Sequence, residues 1–137
     1  MFKLPLNLQF GFVMYLSLAA RVCLSLIFLK AGISHVTSFT GFVSTIASKG
    51  LPIPAAVLAM GSIVCLLGGA LSLLLGFKTK IGAILLIVFL IPTTLLFHPP
   101  VSDTNGFLKN LALIGGLLMT ISHGPGLMSL DGQASRT

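Results

Sequence analysis

Four long apolar stretches, roughly 10–36, 55–76, 81–97 and 107–122, leave this chain little to do except cross a lipid bilayer. A spanning helix needs about 20 predominantly apolar residues, with a range of about 17–25. The first two stretches meet that length outright, and the last two are short enough to stand nearly upright or to thin the bilayer locally. In hydrocarbon every backbone N–H and C=O must be satisfied within the protein, so a span is a helix or part of a closed barrel. No alternation of apolar and polar residues marks a barrel. The sequence therefore predicts an all-α integral membrane protein, a four-transmembrane-helix bundle forming a single transmembrane domain over residues 1–137. Its composition agrees: 55% of residues are hydrophobic and 7% charged, against about 25% charged in soluble domains.

Lys3 and Ser17-Leu18-Ala19 faintly resemble the start and cleavage site of a signal peptide. The apolar run continues well past them, so an uncleaved anchor helix is expected. With four spans, Lys3, Lys78, Lys80 and Arg136 share one side and Lys49 and Lys109 the other. The positive-inside rule then places both termini in the cytoplasm.

Between the first two spans, Phe39, Phe42, Val43 and Ile46 repeat at helical spacing, with Ser44, Thr45, Ser48 and Lys49 facing elsewhere. Ser38 suits an N-cap, Gly50 a C′ position, and Pro52 blocks continuation. A short amphipathic helix over about 39–49 is expected, either lying in the membrane interface or plugging the top of the bundle. In the third span Pro92 removes a backbone donor and crowds the carbonyl of Val88. The hydroxyls of Thr93 and Thr94 are placed to satisfy the freed group. A tail over 123–137 completes the chain.

Few residues can carry chemistry. Asp103 and Asp131 are the only acids, and both fall between or after the apolar runs. That argues against an intramembrane carboxylate relay and against a carboxylate-held metal. The formal net charge of +6 comes from scattered bases and does not suggest nucleic acid.

Arg21 lies about 17 Å along the first stretch, where an arginine costs at least about 2.5–3.5 kcal/mol on insertion scales. No apolar stretch contains an acid to meet it. Its partners are to be sought among helix-end carbonyls, Ser and Thr hydroxyls, the Asn110 amide, a lipid phosphate, a quinone-type carbonyl, or a carboxylate on another subunit. Lys30 is about 180° around the helix from Arg21 and near an end, where it can snorkel to headgroups.

His35, His98, Lys109 and Asn110 are expected at one membrane level, from the first, third and fourth spans. Such a cluster suits a quinone head or a headgroup phosphate, and it is also what ordinary helix ends look like. Two histidines without a third ligand do not make a zinc or copper centre. Cys23 and Cys65 read as small buried residues, inert in apolar surroundings. Gly68-Gly69 and Gly115-Gly116 fall inside apolar helices and read as packing surfaces rather than phosphate loops.

The order of these features resembles the DoxX family of small four-helix membrane proteins, relatives of the DoxD and MauE proteins. The resemblance is carried by Arg21, Leu26-Ile27-Phe28-Leu29 and Gly32, then Gly50-Leu51-Pro52, Gly68-Gly69 and the leucine-rich run to Gly76. Leu95-Leu96-Phe97-His98, Phe107-Leu108-Lys109-Asn110, Gly115-Gly116 and Ser129-Leu130-Asp131 continue it to the end. It implies a bundle in a bacterial-type inner or energy-transducing membrane. Family members are linked to quinol oxidation, thiol-redox complexes and maturation of periplasmic redox enzymes. Many carry a glutamate before the paired glycines of helix two; here that position is Cys65 or Leu66.

The expected function is a non-catalytic subunit or assembly partner of a larger membrane electron-transfer complex. A quinone-handling oxidoreductase component is the alternative, and a small transporter or lipid-binding protein the second alternative. No autonomous redox centre is visible. Lipids and other integral membrane subunits are the expected partners, with a bound quinone or lipid the only candidate for a cofactor.

Overall fold

The structure, a computed structural model, describes residues 5–135; Lys3 and Arg136, which bear on orientation, lie outside them. Among the described residues the regular structure is all helical, with no strand. The helices are α1 (Leu6–Thr37), α2 (Phe39–Ala47), α3 (Ala55–Leu75), α4 (Thr79–Phe97), α5 (Thr104–His123) and α6 (Leu130–Ala134).

Three of them, α1, α3 and α4, are long and apolar enough to cross a membrane. The fourth expected span falls on α5, whose 20 residues reach about 30 Å. Asn105, Lys109, Asn110, Thr120, Ser122 and His123 dilute its apolar content, so α5 does not join that group on composition. Asp103 starts α5 earlier than its apolar run suggests, because its carboxylate accepts from the Gly106 N–H as an N-cap.

Helix α3 packs against α1 on one side and α4 on the other, and α4 packs against α5. Contact between α1 and α5 is sparse, which leaves an open seam between them. The core is built from Phe28, Leu66, Leu73, Leu86, Leu90 and Leu117. Leu26, Val64, Val88 and Leu95 are exposed on the outside, as expected of helices that are apolar all round.

Lipid supplies no hydrophobic force between helices, so close backbone approach matters. Gly69 supplies it: a Cβ there would meet Leu86 and the Gly82 carbonyl. Gly116 faces Leu24, whereas Gly68 and Gly115 face open space. Of the four glycines read as packing surfaces, two thus pack within the chain.

Pro92 does not interrupt α4. Thr93 Oγ1 donates to the Phe89 carbonyl at 2.7 Å and Thr94 Oγ1 to the Leu90 carbonyl at 2.6 Å. The hydroxyls bond back one turn along their own helix, so neither reaches the Val88 carbonyl assigned to them from sequence. Cys23 corrects another expectation: it is exposed, and Cys65 is half-buried. In a membrane protein an apolar surrounding is found outside the bundle as well as within it.

The turn from α3 to α4 is tight. Gly76 takes φ 68° and Lys78 φ 48°, the latter an uncommon conformation for a residue with a Cβ. Helix α1 overshoots the opposite elements. Its 32 residues span about 48 Å, against about 31 Å for α3. Beyond Ser17, which donates to the Pro125 carbonyl, the first turns carry Leu8, Phe10, Phe12, Val13 and Tyr15 with their sides exposed.

Candidate functional site

Polar groups gather at both ends of the bundle. At the tail end, Arg21 is 2% exposed. Its Nη1 donates to the Leu73 carbonyl at 3.1 Å and its Nη2 to the Met128 carbonyl at 2.5 Å. Arg21 is therefore level with the last turn of α3, not midway along the bundle, because α1 begins well before its neighbours. Its two amino groups are met by carbonyls of this chain, while Nε is buried without a partner.

The tail that supplies Met128 is itself held by Asp131. That carboxylate accepts from the Lys78 N–H at 2.8 Å, the Thr79 N–H at 2.9 Å and the Thr79 hydroxyl at 2.8 Å. The Asp131 N–H donates to the Gly76 carbonyl at 2.8 Å. Burial works against the charge of Asp131. The bonds from Thr79 and Lys78, with Arg21 nearby, outweigh it and hold the carboxyl below its usual value. The same bonds cap the start of α4 and secure the strained Lys78. Apart from Arg21 Nε, the side-chain groups of Arg21, Asp131 and Thr79 are engaged in holding the tail, α1 and the α3–α4 turn together.

The other end, where α2 lies, is different. A cavity of about 540 Å³ opens there, lined by His35, Phe42, Ser62, Phe89, Thr93 and His98 among others. Helix α2 forms one wall, and the His35 ring stacks on Phe42 with centroids 3.7 Å apart. A mostly apolar groove of about 280 Å³ adjoins it, shares Ile46, Ser62, Phe89, Thr93 and Phe97, and runs on to Gly61, Cys65, Val88 and Pro92. Lys49 stands 4.9 Å over the Phe97 ring at the rim.

Behind both is a recess of about 160 Å³ that brings together His35, His98, Lys109 and Asn110 with Phe28, Leu66 and Leu113. Asn110 is 5% exposed, yet its carboxamide has no hydrogen-bond partner among the described residues. His98 Nδ1 lies 2.5 Å from Asp103 Oδ2, so its other nitrogen, Nε2, is free. Lys30, in contrast, is exposed on α1 and lines none of these spaces.

The sequence shows both carboxylates but assigns neither a role. Asp103, set just before an apolar run, has the signature of an N-cap, but its pairing with His98 depends on how the Pro99-Pro100 turn folds back. Asp131 carries no local signal, since its partners lie fifty residues away. Among the described residues no three His, Cys, Asp or Glu side chains gather as metal ligands would.

Long apolar helices, a buried arginine tied to helix-end carbonyls and a polar recess at one end define a small integral membrane helical protein. The chain belongs to the DoxX family, whose model matches residues 16–99. It is 32% identical over 120 residues to inner membrane protein YqjF of Escherichia coli K12, covering 83% of this chain and 88% of that one. It is 34% identical over 126 residues to inner membrane protein YphA of the same organism, covering 85% and 88%. No solved structure gives a significant match.

Proposed function

We propose that this protein binds a membrane-soluble amphiphile with a polar ring head, of quinone type, at the α2 end of its bundle. The observation that carries the reading is Asn110: a carboxamide without a protein partner, on a residue only 5% exposed, facing a recess that also holds His98. A ligand's oxygen entering the recess would meet its hydrogen-bonding capacity. The recess takes the polar edge of the head, the larger cavity under α2, which shares His35, Phe89, Thr93 and His98 with it, takes the ring, and the adjoining apolar groove suits an aliphatic tail. A small number of polar groups fixing orientation in a mostly apolar space is how such sites are built.

With α5 completing four spans, the lysine distribution puts the α2 end on the non-cytoplasmic face of the membrane. The relatives' location supports an inner membrane. We read the chain as an accessory that stores or presents the amphiphile to another membrane protein. Arg21 gives no reason to invoke a partner's carboxylate, because Leu73 and Met128 of this chain already bond to it.

The test is direct binding of a short-tailed benzoquinone and its hydroquinone to the full chain in lipid nanodiscs. His98→Ala and Asn110→Ala are each expected to weaken binding about tenfold, as loss of one hydrogen bond of about 1.4 kcal/mol would. Neither form binding, or both variants binding like the parent, would sink the reading.

A further inference from the structure

The recess contains a polarity that its volume alone does not reveal. Asp103 precedes α5 and touches His98 at the end of α4, five residues earlier. Its Oδ1 is already engaged by the Gly106 N–H at 2.9 Å, which fixes the carboxylate plane. The remaining oxygen, Oδ2, lies against His98 Nδ1. A carboxylate accepts but does not donate, so a neutral His98 ring must carry its proton on Nδ1. Its Nε2 then presents a lone pair. No other described residue bonds to that nitrogen. Gly106 makes the pairing possible: a Cβ at this position would run into both Asp103 Oδ2 and His98 Nδ1.

We infer that Asp103 is a positioning residue that sets His98 as a hydrogen-bond acceptor, so that the site selects the hydroxyl-bearing, hydroquinone form of a ring-headed amphiphile over its carbonyl form. This rests on the amphiphile-binding reading above. A hydroquinone O–H donates to Nε2, while a quinone carbonyl there would place two lone pairs face to face. Asn110 does not discriminate, because its carboxamide offers N–H to one form and C=O to the other. Discrimination between the forms thus falls on His98, and its direction on Asp103. The His98 and Asp103 side chains are 33% and 43% exposed, so the discrimination expected is that of one partly solvated hydrogen bond.

The other charged or titratable groups at this end do not compete for the role. His35 stacks on Phe42, Lys49 lies over Phe97, and the exposed Lys109 lowers the charge cost of Asp103 from the side of α5. The neighbouring hydroxyls Thr93 and Thr94 already donate to carbonyls of α4. No bond is made or broken in the step proposed. The proton stays on the ligand oxygen and is shared with Nε2.

The experiment compares three probes of equal tail length under anaerobic conditions: an alkyl hydroquinone, the matching benzoquinone, and the hydroquinone dimethyl ether. The full chain in nanodiscs is expected to bind the hydroquinone about tenfold more tightly than the other two. Asp103→Asn keeps the N-cap to Gly106 but can donate to Nδ1, which moves the ring proton to Nε2. The preference for hydroquinone is then expected to vanish or turn toward the quinone.

Nitrogen-15 spectra of histidine-labelled protein give the independent readout. A proton on His98 Nδ1 is expected in the parent and on Nε2 in Asp103→Asn, a change that a merely structural role would not produce. Gly106→Ala is expected to break the pair and abolish the preference while the spectra still show a folded chain. Equal binding of all three probes by the parent would overturn this inference and leave amphiphile binding standing. Binding of none would overturn both. An unchanged tautomer in Asp103→Asn together with an unchanged preference would overturn the role of Asp103 alone.

Discussion

Arg21 and Asp131 never form an ion pair, yet each depends on the same piece of backbone. Arg21 grips the tail through the Met128 carbonyl, and Asp131 pins it to the α3–α4 turn. Arg21→Gln is expected to cost about 3 kcal/mol, since hydrogen bonds to a charged group contribute about 1.5–3 kcal/mol each. The melting temperature of the purified protein in detergent checks this, and quinone affinity of the folded fraction should not change.

Asp131 adds a pH signature. Its folded pKa lies below the unfolded value of about 3.9. The stability it contributes is therefore complete above that value and is lost as pH falls through the lower folded one. Melting curves are expected to be flat near neutrality and to decline below about pH 4, with part of the decline missing in Asp131→Asn. Asp103, also depressed, first by its bond to His98, accounts for a further part with the same sign.

At the scale of elements, helix contact is decided by which glycine faces which neighbour. Gly69→Ala pushes a methyl into Leu86 and a backbone carbonyl, and overpacking of this kind costs about 1–3 kcal/mol. Gly68→Ala, one residue away and facing open space, is expected to be neutral or stabilising by up to about 1 kcal/mol through helix propensity. Chemical denaturation in detergent distinguishes the two.

The glycine pairs were visible in the sequence, but their facing was not, because a 3.6-residue repeat in an apolar run gives no polar side from which to count. For the same reason the three most apolar helices were legible from length alone, while the start of α5 was displaced. Polar residues there lowered the signal that the Asp103 cap would have supplied. The cluster of His35, His98, Lys109 and Asn110 could be anticipated because each residue sits at the same end of its helix. Its unpaired amide and oriented imidazole could not, since both depend on rotamers and on a turn through two prolines.

At the scale of the whole molecule, the two ends of the bundle do opposite things with polar atoms. At one end the carboxylate of Asp131 and both amino groups of Arg21 close the structure, and the other leaves Asn110 and His98 Nε2 unspent. Changes at one end should not register at the other. A double variant, Asp131→Asn with His98→Ala, is expected to show additive effects on unfolding free energy in detergent, within about 0.5 kcal/mol, as sites far apart without shared partners do.

The overshooting start of α1 gives the molecule a built-in optical reporter. The chain has no tryptophan and a single tyrosine, and that residue, Tyr15, is 64% exposed on the overshoot. It stands about 30 Å along the helix from His35. Near-ultraviolet emission of the unlabelled protein therefore senses only the surroundings of that protruding segment. It will respond to whatever covers or immerses the start of α1, and it will stay dark to events beneath α2.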